Sequence, residues 1–164
     1  MSRKIFVTVG TTKFDNLITT VTSSAVLEEL NKRGYNHLTL QIGNTTLKPD
    51  CTPRHGFQTI EFFTLKPTIK EYVKSADLVI SHAGAGSCLE ALGELKPLIV
   101  VTNDLLMDNH QLELAQQLYK DGHLYYCTCS NLHKLIASMD LTKLKPLIRD
   151  SRKIANQIDK LMGF

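Results

Sequence analysis

The stretch Asp77-Leu-Val-Ile-Ser-His-Ala-Gly-Ala-Gly-Ser-Cys-Leu-Glu90 decides the fold. Asp77 to Ile80 is a short apolar, β-branched run, which reads as a strand. It runs into a turn carrying Gly84 and Gly86, and a helical pattern follows to about Leu95. A strand that turns tightly into a helix is half of a parallel βαβ unit, because parallel strands need a long crossover between them. The same alternation repeats on both sides. Upstream, Lys4 to Val9 predicts a strand closed by Gly10-Thr-Thr12, and Leu17, Ile18, Val21, Leu27 and Leu30 predict one helix that stops at Gly34. His37 to Ile42 alternates as a strand, Phe57 to Phe63 is another strand-like run, and Pro67 suits the first position of a helix over Thr68 to Ala76. Between those two strands, Gly43 to Gly56 is a polar loop with two prolines, long enough to be a functional candidate. Downstream, Leu98 to Thr102 predicts a strand, Asn109 to Lys120 a helix with Leu112, Ala115, Leu118 and Tyr119 on one face, and His123 to Cys127 a further strand before two closing helices.

Such alternation predicts an α/β chain, a Rossmann-like, doubly wound, mainly parallel sheet with right-handed crossovers. In these sheets ligands sit outside the carboxyl ends of the strands. The loops Gly10 to Asp15, Ser81 to Ser87 and Asn103 to His110 are therefore the candidate site.

With 164 residues, 43% hydrophobic and 21% charged, the chain has ordinary globular usage, which argues against long disorder, a collagen-like sequence or a disulfide scaffold. Apolar runs such as Pro97 to Val101 are a fraction of the about 20 residues a membrane span needs. No apolar signal region follows Met1, so the expected location is the cytosol. Residues 1–140 hold 13 Lys or Arg against 14 Asp or Glu, whereas residues 141–164 hold six against two. The basicity is thus C-terminal and too small for a nucleic-acid footprint. We divide the chain accordingly into a domain over 1–140 and a basic amphipathic segment over 141–164. Cys51, Cys88, Cys127 and Cys129 lack zinc-ribbon or redox spacing and read as reduced, packed thiols. A metal on Cys127, Cys129, His123 and His133 is the minor alternative, and no metal site is expected.

Gly84 and Gly86 remove the Cβ atoms that would block a ligand, and the free N–H groups of the following helix favour phosphate. Glu90 falls too far along that helix to cap it and suits hydrogen bonds from ribose hydroxyls, a pattern that suggests a sugar nucleotide. The dinucleotide fingerprint fails, because Leu89 stands where its last glycine belongs, and no Walker pattern occurs. Gly10, Thr11 and Thr12 repeat the logic in the first loop, where Asp15 is a plausible helix cap. His82 at a strand end either meets a phosphate oxygen or satisfies a buried carbonyl. Asp108-Asn-His-Gln-Leu-Glu113 is either a third ligand-facing loop or a solvated helix start.

Phe6-Val-Thr-Val-Gly-Thr-Thr12, Ser81 to Glu90 and Asn109-His-Gln-Leu-Glu-Leu-Ala115, in this order, resemble the family 28 glycosyltransferase C-terminal domain over roughly residues 4–140. Within it the likeness is greatest to members that serve as the donor-binding subunit of a two-component N-acetylglucosaminyltransferase. The resemblance implies the donor-binding half of a GT-B fold, whose acceptor-binding half is a separate, membrane-anchored subunit at the cytosolic face of the endoplasmic reticulum. It implies inverting transfer of N-acetylglucosamine from UDP-N-acetylglucosamine to the lipid-linked acceptor dolichol-diphosphate-N-acetylglucosamine, forming a β1,4 linkage in N-glycosylation, with no cofactor. By motif position it implies Gly84, Gly86 and Ser87 at the diphosphate, Glu90 at the ribose, His110 and Gln111 at the sugar, and Gly10 to Thr12 at the cleft. Fused bacterial relatives have glutamine at the His110 position, and Glu113 is a peripheral candidate. No catalytic base is named. The alternative is a non-catalytic nucleotide-sugar-binding or regulatory module.

The last segment carries Leu147, Ile148, Ala155, Ile158, Leu161 and Met162 at helical spacing, interleaved with five basic residues. It is expected to pack on its own domain or to dock the membrane-bound partner.

Overall fold

The computed structural model describes residues 3–10, 12–83, 85–102 and 109–144. Its elements are β1 (Lys4–Thr8), α1 (Asp15–Val21), α2 (Ser24–Lys32), β2 (His37–Gln41), β3 (Thr59–Phe63), α3 (Lys70–Ser75), β4 (Leu78–His82), α4 (Ala85–Gly93), β5 (Leu98–Thr102), α5 (Asn109–Lys120), β6 (Tyr125–Thr128) and α6 (Leu132–Ser138). Short 3-10 turns at Cys129–Asn131 and Leu141–Lys143 flank α6. The basic segment beyond Leu144 lies outside the described residues, save for the turn at its start.

All strands run parallel in one sheet of order β3-β2-β1-β4-β5-β6. The order follows from burial. β1, β4 and β5 are nearly continuous apolar runs, and only a strand covered on both faces gains from apolar residues at every position. Alternate residues feed separate cores. Ile5, Val7, Leu78, Ile80, Ile99 and Val101 pack under α1, α2 and α6, while Phe6, Val79, Leu98 and Val100 pack under α3, α4 and Leu118 of α5. Each fully buried aliphatic side chain contributes about 1.5–3 kcal/mol, which holds the central strands in register.

The predicted single helix before Gly34 is broken in two at Thr22–Ser23. Hydroxyls of Thr20, Thr22 and Ser23 donate back to the carbonyls of Asn16, Ile18 and Thr20, a competition with the helix ladder that the serine and threonine cluster invites. The long loop after β2 is held to this break. Arg54 donates from Nη2 to the Thr22 carbonyl at 2.9 Å and from Nη1 to the carbonyls of Asp50 and Thr52, and His55 lies 3.2 Å from Glu28. The loop thus covers the α1–α2 layer. Helix α3 starts at Lys70 rather than next to Pro67, and Asp15 is the first residue of α1 rather than its cap, which is Phe14. β4 runs two residues beyond Ile80, so His82 stands on the strand itself.

Candidate functional site

A doubly wound sheet opens a crevice where the chain's progress across the sheet reverses. Here that point lies between β1, whose successor β2 lies on one side, and β4 on the other. The loop after β1 and the turn before α4 therefore flank the crevice. Buried polarity marks the same rim. Of the five buried polar side chains among the described residues, Thr8, Gln41, Ser81 and Thr102 stand at or next to the carboxyl ends of β1, β2, β4 and β5.

The first loop is built from its own hydrogen bonds. The Gly10 N–H donates to Thr8 Oγ1 at 3.0 Å, and the Thr8 hydroxyl donates to Gln41 Oε1. The Thr12 N–H and hydroxyl both donate to the Val9 carbonyl. Gly10 adopts φ +63°, and a Cβ there would meet His82 Nε2 at 2.8 Å, so the glycine is required both by conformation and by the imidazole lying over it.

His82 Nε2 also lies 3.5 Å from Ser87 Oγ, and the tautomer sets which of the two donates. Burial lowers the His82 pKa to about 4, so the ring is neutral near pH 7. Its carbonyl accepts from Ser81 Oγ at 2.8 Å and from the Cys88 thiol, whose own pKa burial pushes up to about 12. Cys88 is therefore an inert packing residue. Helix α4 begins at Ala85, just outside the end of β4, and its unpaired N–H groups and dipole make its first turn favourable for an anion.

The structure thus brings together Gly10, His82 and Ser87, with Thr12 in the same loop as Gly10 and Gly86 in the first turn of α4. Glu90 is half-buried on α4, further from the crevice end. His110 and Gln111 begin α5, but their side chains, like Thr11 and Gly84, lie outside the described residues. Glu113 is exposed. No group of three His, Cys, Asp or Glu converges among the described residues, so Cys127 and Cys129 hold no described metal cluster. No described helix is long and apolar enough to cross a membrane. An open cleft of about 480 Å³ runs beside edge strand β6, lined by Thr102 at the end of β5 and walled in part by Tyr119, Tyr126 and Lys134.

The sequence reading passed over Thr8, Gln41 and Gly43. Thr8 and Gln41 appear as polar interruptions of apolar strands, which was the available signal. Gly43 has φ +72°, and a Cβ there would collide with the Thr12 carbonyl, which also accepts from Asn44 N–H at 3.1 Å. The two loops are thereby locked side by side.

Comparison with known proteins agrees with this fold. Residues 4–162 match the glycosyltransferase family 28 C-terminal domain. The chain is 55% identical over 125 residues to UDP-N-acetylglucosamine transferase subunit ALG13 of Homo sapiens, covering 76% of this chain and 11% of that protein. The chain therefore spans about a tenth of that relative's length. It superposes on the NMR solution structure of an ALG13 with TM-score 0.72 and 27% identity, covering 96% of this chain and 95% of that one. It also superposes on Acinetobacter baumannii MurG with TM-score 0.66 and 17% identity, covering all of this chain and 50% of that one, which places its fold among GT-B glycosyltransferases.

Proposed function

Because the chain belongs to the glycosyltransferase family 28 C-terminal domain family, we propose that it is the donor-binding half of a split N-acetylglucosaminyltransferase. One structural observation carries the reading. Helix α4 starts at the switch-point crevice with neutral His82 and Ser87 at its mouth, an arrangement suited to the diphosphate of a nucleotide sugar. The human and mouse relatives are named as UDP-N-acetylglucosamine transferase subunits, which supports UDP-N-acetylglucosamine as donor and a second subunit as partner.

In the proposed reaction the acceptor 4-hydroxyl oxygen attacks the anomeric carbon of UDP-N-acetylglucosamine as the bond to the diphosphate oxygen breaks. The hydroxyl proton passes to a base, and UDP leaves. The configuration inverts to a β1,4 linkage on dolichol-diphosphate-N-acetylglucosamine. This chain's part is electrostatic and positional. The α4 N-terminus and Ser87 would meet the charge that develops on the departing diphosphate, Glu90 the ribose, and His110 with Gln111 the sugar. No base is assigned in this chain, and the acceptor half would be a membrane-anchored subunit that brings this chain to the cytosolic face of the endoplasmic reticulum. The segment over 141–164 is the proposed docking element, with its basic face towards the bilayer. Deleting residues 144–164 should abolish co-purification with the partner while leaving a folded core; unimpaired pairing refutes the docking role.

The test of the activity is sugar transfer to a short-chain dolichol-diphosphate-N-acetylglucosamine analogue, by this chain alone, with the partner, and with Glu90→Ala plus the partner. Activity only with the partner, lost in the variant, supports the split transferase. Activity from the chain alone overturns it. Silence throughout, with pairing verified, selects a non-catalytic nucleotide-sugar-binding module.

A further inference from the structure

We propose that the first glycine loop is a positioning device: Gln41, acting through Thr8 and Gly10, seats the His82 imidazole where it meets the donor diphosphate. The proposal rests on the reading that a diphosphate enters this crevice.

Three donors of the loop are already committed. The Gly10 N–H is taken by Thr8, and the N–H and hydroxyl of Thr12 by Val9. A loop that grips phosphate would instead leave such groups pointing outward. What Gly10 offers the crevice is shape, its bare Cα against the imidazole.

That shape is set from two strands away. Thr8 and Gln41 are register partners on β1 and β2, 0% and 3% exposed, on the sheet face that also buries Phe6 and Val79. Valine and leucine would pack there without any desolvation cost, whereas a buried hydroxyl and amide must be satisfied. The hydrogen bonds run one way, from the Gly10 N–H to the Thr8 oxygen and from the Thr8 hydroxyl to the Gln41 carbonyl, so each polarises the next. The chain fixes the direction of the Gly10 amide and with it the Cα on which His82 rests. Ser87 Oγ lies 3.5 Å from the same Nε2. Rotation of the Gly10 peptide would open space beside the ring and admit water.

The experiment compares wild type, Thr8→Val, Gln41→Leu, the double variant and Gly10→Ala. It reads thermal stability, the His82 ring titration by nitrogen NMR, and UDP binding by calorimetry. Thr8→Val alone loses stability because the Gln41 carbonyl and the Gly10 amide are left unpaired, and the double variant recovers the part owed to Gln41, since that buried amide is exchanged for an apolar side chain while the Gly10 N–H stays unpaired. If the pair served stability alone, the ring and the ligand would recover as well. The expected result is that they do not. In the folded double variant the ring titrates about one unit above the wild-type value of about 4 as water reaches it, and UDP binds about tenfold more weakly. Thr8→Ser, which keeps the hydroxyl, restores both.

A double variant with wild-type ring titration overturns the proposal, and so does one with a shifted ring but undiminished UDP affinity. If the double variant does not fold, Gly10→Ala decides by the same two readouts, because its Cβ enters the space of Nε2. Absence of UDP binding by wild type refutes the diphosphate reading, while the ring titration still judges whether Gln41 seats His82.

Discussion

The carbonyl oxygen of Thr12 rests against the Cα of Gly43, joining the loop after β1 to the loop after β2 at a point where no side chain fits. Gly43 also holds φ +72°, which costs an L-residue roughly 1–2 kcal/mol before any collision is counted. Gly43→Ala should therefore lose about 2–4 kcal/mol in urea unfolding, the larger part from displacing the Thr12 backbone. A loss below about 0.5 kcal/mol, the range of a neutral surface change, contradicts the contact.

His82 makes the fold sensitive to acid. Its pKa is lowered by burial to about 4 in the native state, against the usual 6.5 when unfolded. Between these values the unfolded chain binds more protons, so stability rises with pH. The contribution is fully present above about pH 6.5 and is lost as pH falls towards 4, to a total of roughly 3 kcal/mol. His82→Asn should flatten the dependence of the unfolding free energy over this window. An unchanged slope assigns the acid sensitivity to other groups.

If Glu90 accepts from the ribose, its removal should matter only for a ligand that has the hydroxyl. Glu90→Ala is expected to weaken UDP binding about tenfold but to leave 2′-deoxy-UDP or 3′-deoxy-UDP, whichever lacks the bonded hydroxyl, bound as by wild type. Calorimetric titration of the three nucleotides closes the cycle. Equal losses for all three place Glu90 away from the ribose.

Arg54 separates loop stability from ligand binding. Arg54→Ala removes the hydrogen bonds to Thr22, Asp50 and Thr52, of which the bond to Thr22 ties the long loop to the break between α1 and α2. The expected outcome is a loss of about 1–3 kcal/mol of stability with UDP affinity unchanged. Weakened UDP binding in the folded variant would return this loop to the site, as its length first suggested.

Strands were legible both from continuous apolar runs and, at His37 to Gln41, from alternation. Leu98 to Thr102 and the run ending at Ile80 are legible because no other local pattern explains continuous β-branched residues. The interrupted helix before Gly34 was not legible. Its apolar spacing carries straight through Thr22–Ser23, and the interruption depends on hydroxyls and on Arg54 reaching back from a residue 32 positions later. Asp15 looked like a cap from its place after a loop, yet the dihedral angles put Phe14 in that position.

By itself the sequence determined the alternation, the doubly wound class and the glycine-rich turn at Ser81 to Glu90, since periodicity and glycine placement are local properties of the chain. Only the tertiary structure decided that β1 and β4 are neighbours, that Gly10 lies under His82, and that Gln41 reaches the crevice through Thr8. Those relations join residues tens of positions apart. They are fixed by how two apolar faces of one sheet are buried together, which no stretch of sequence records alone.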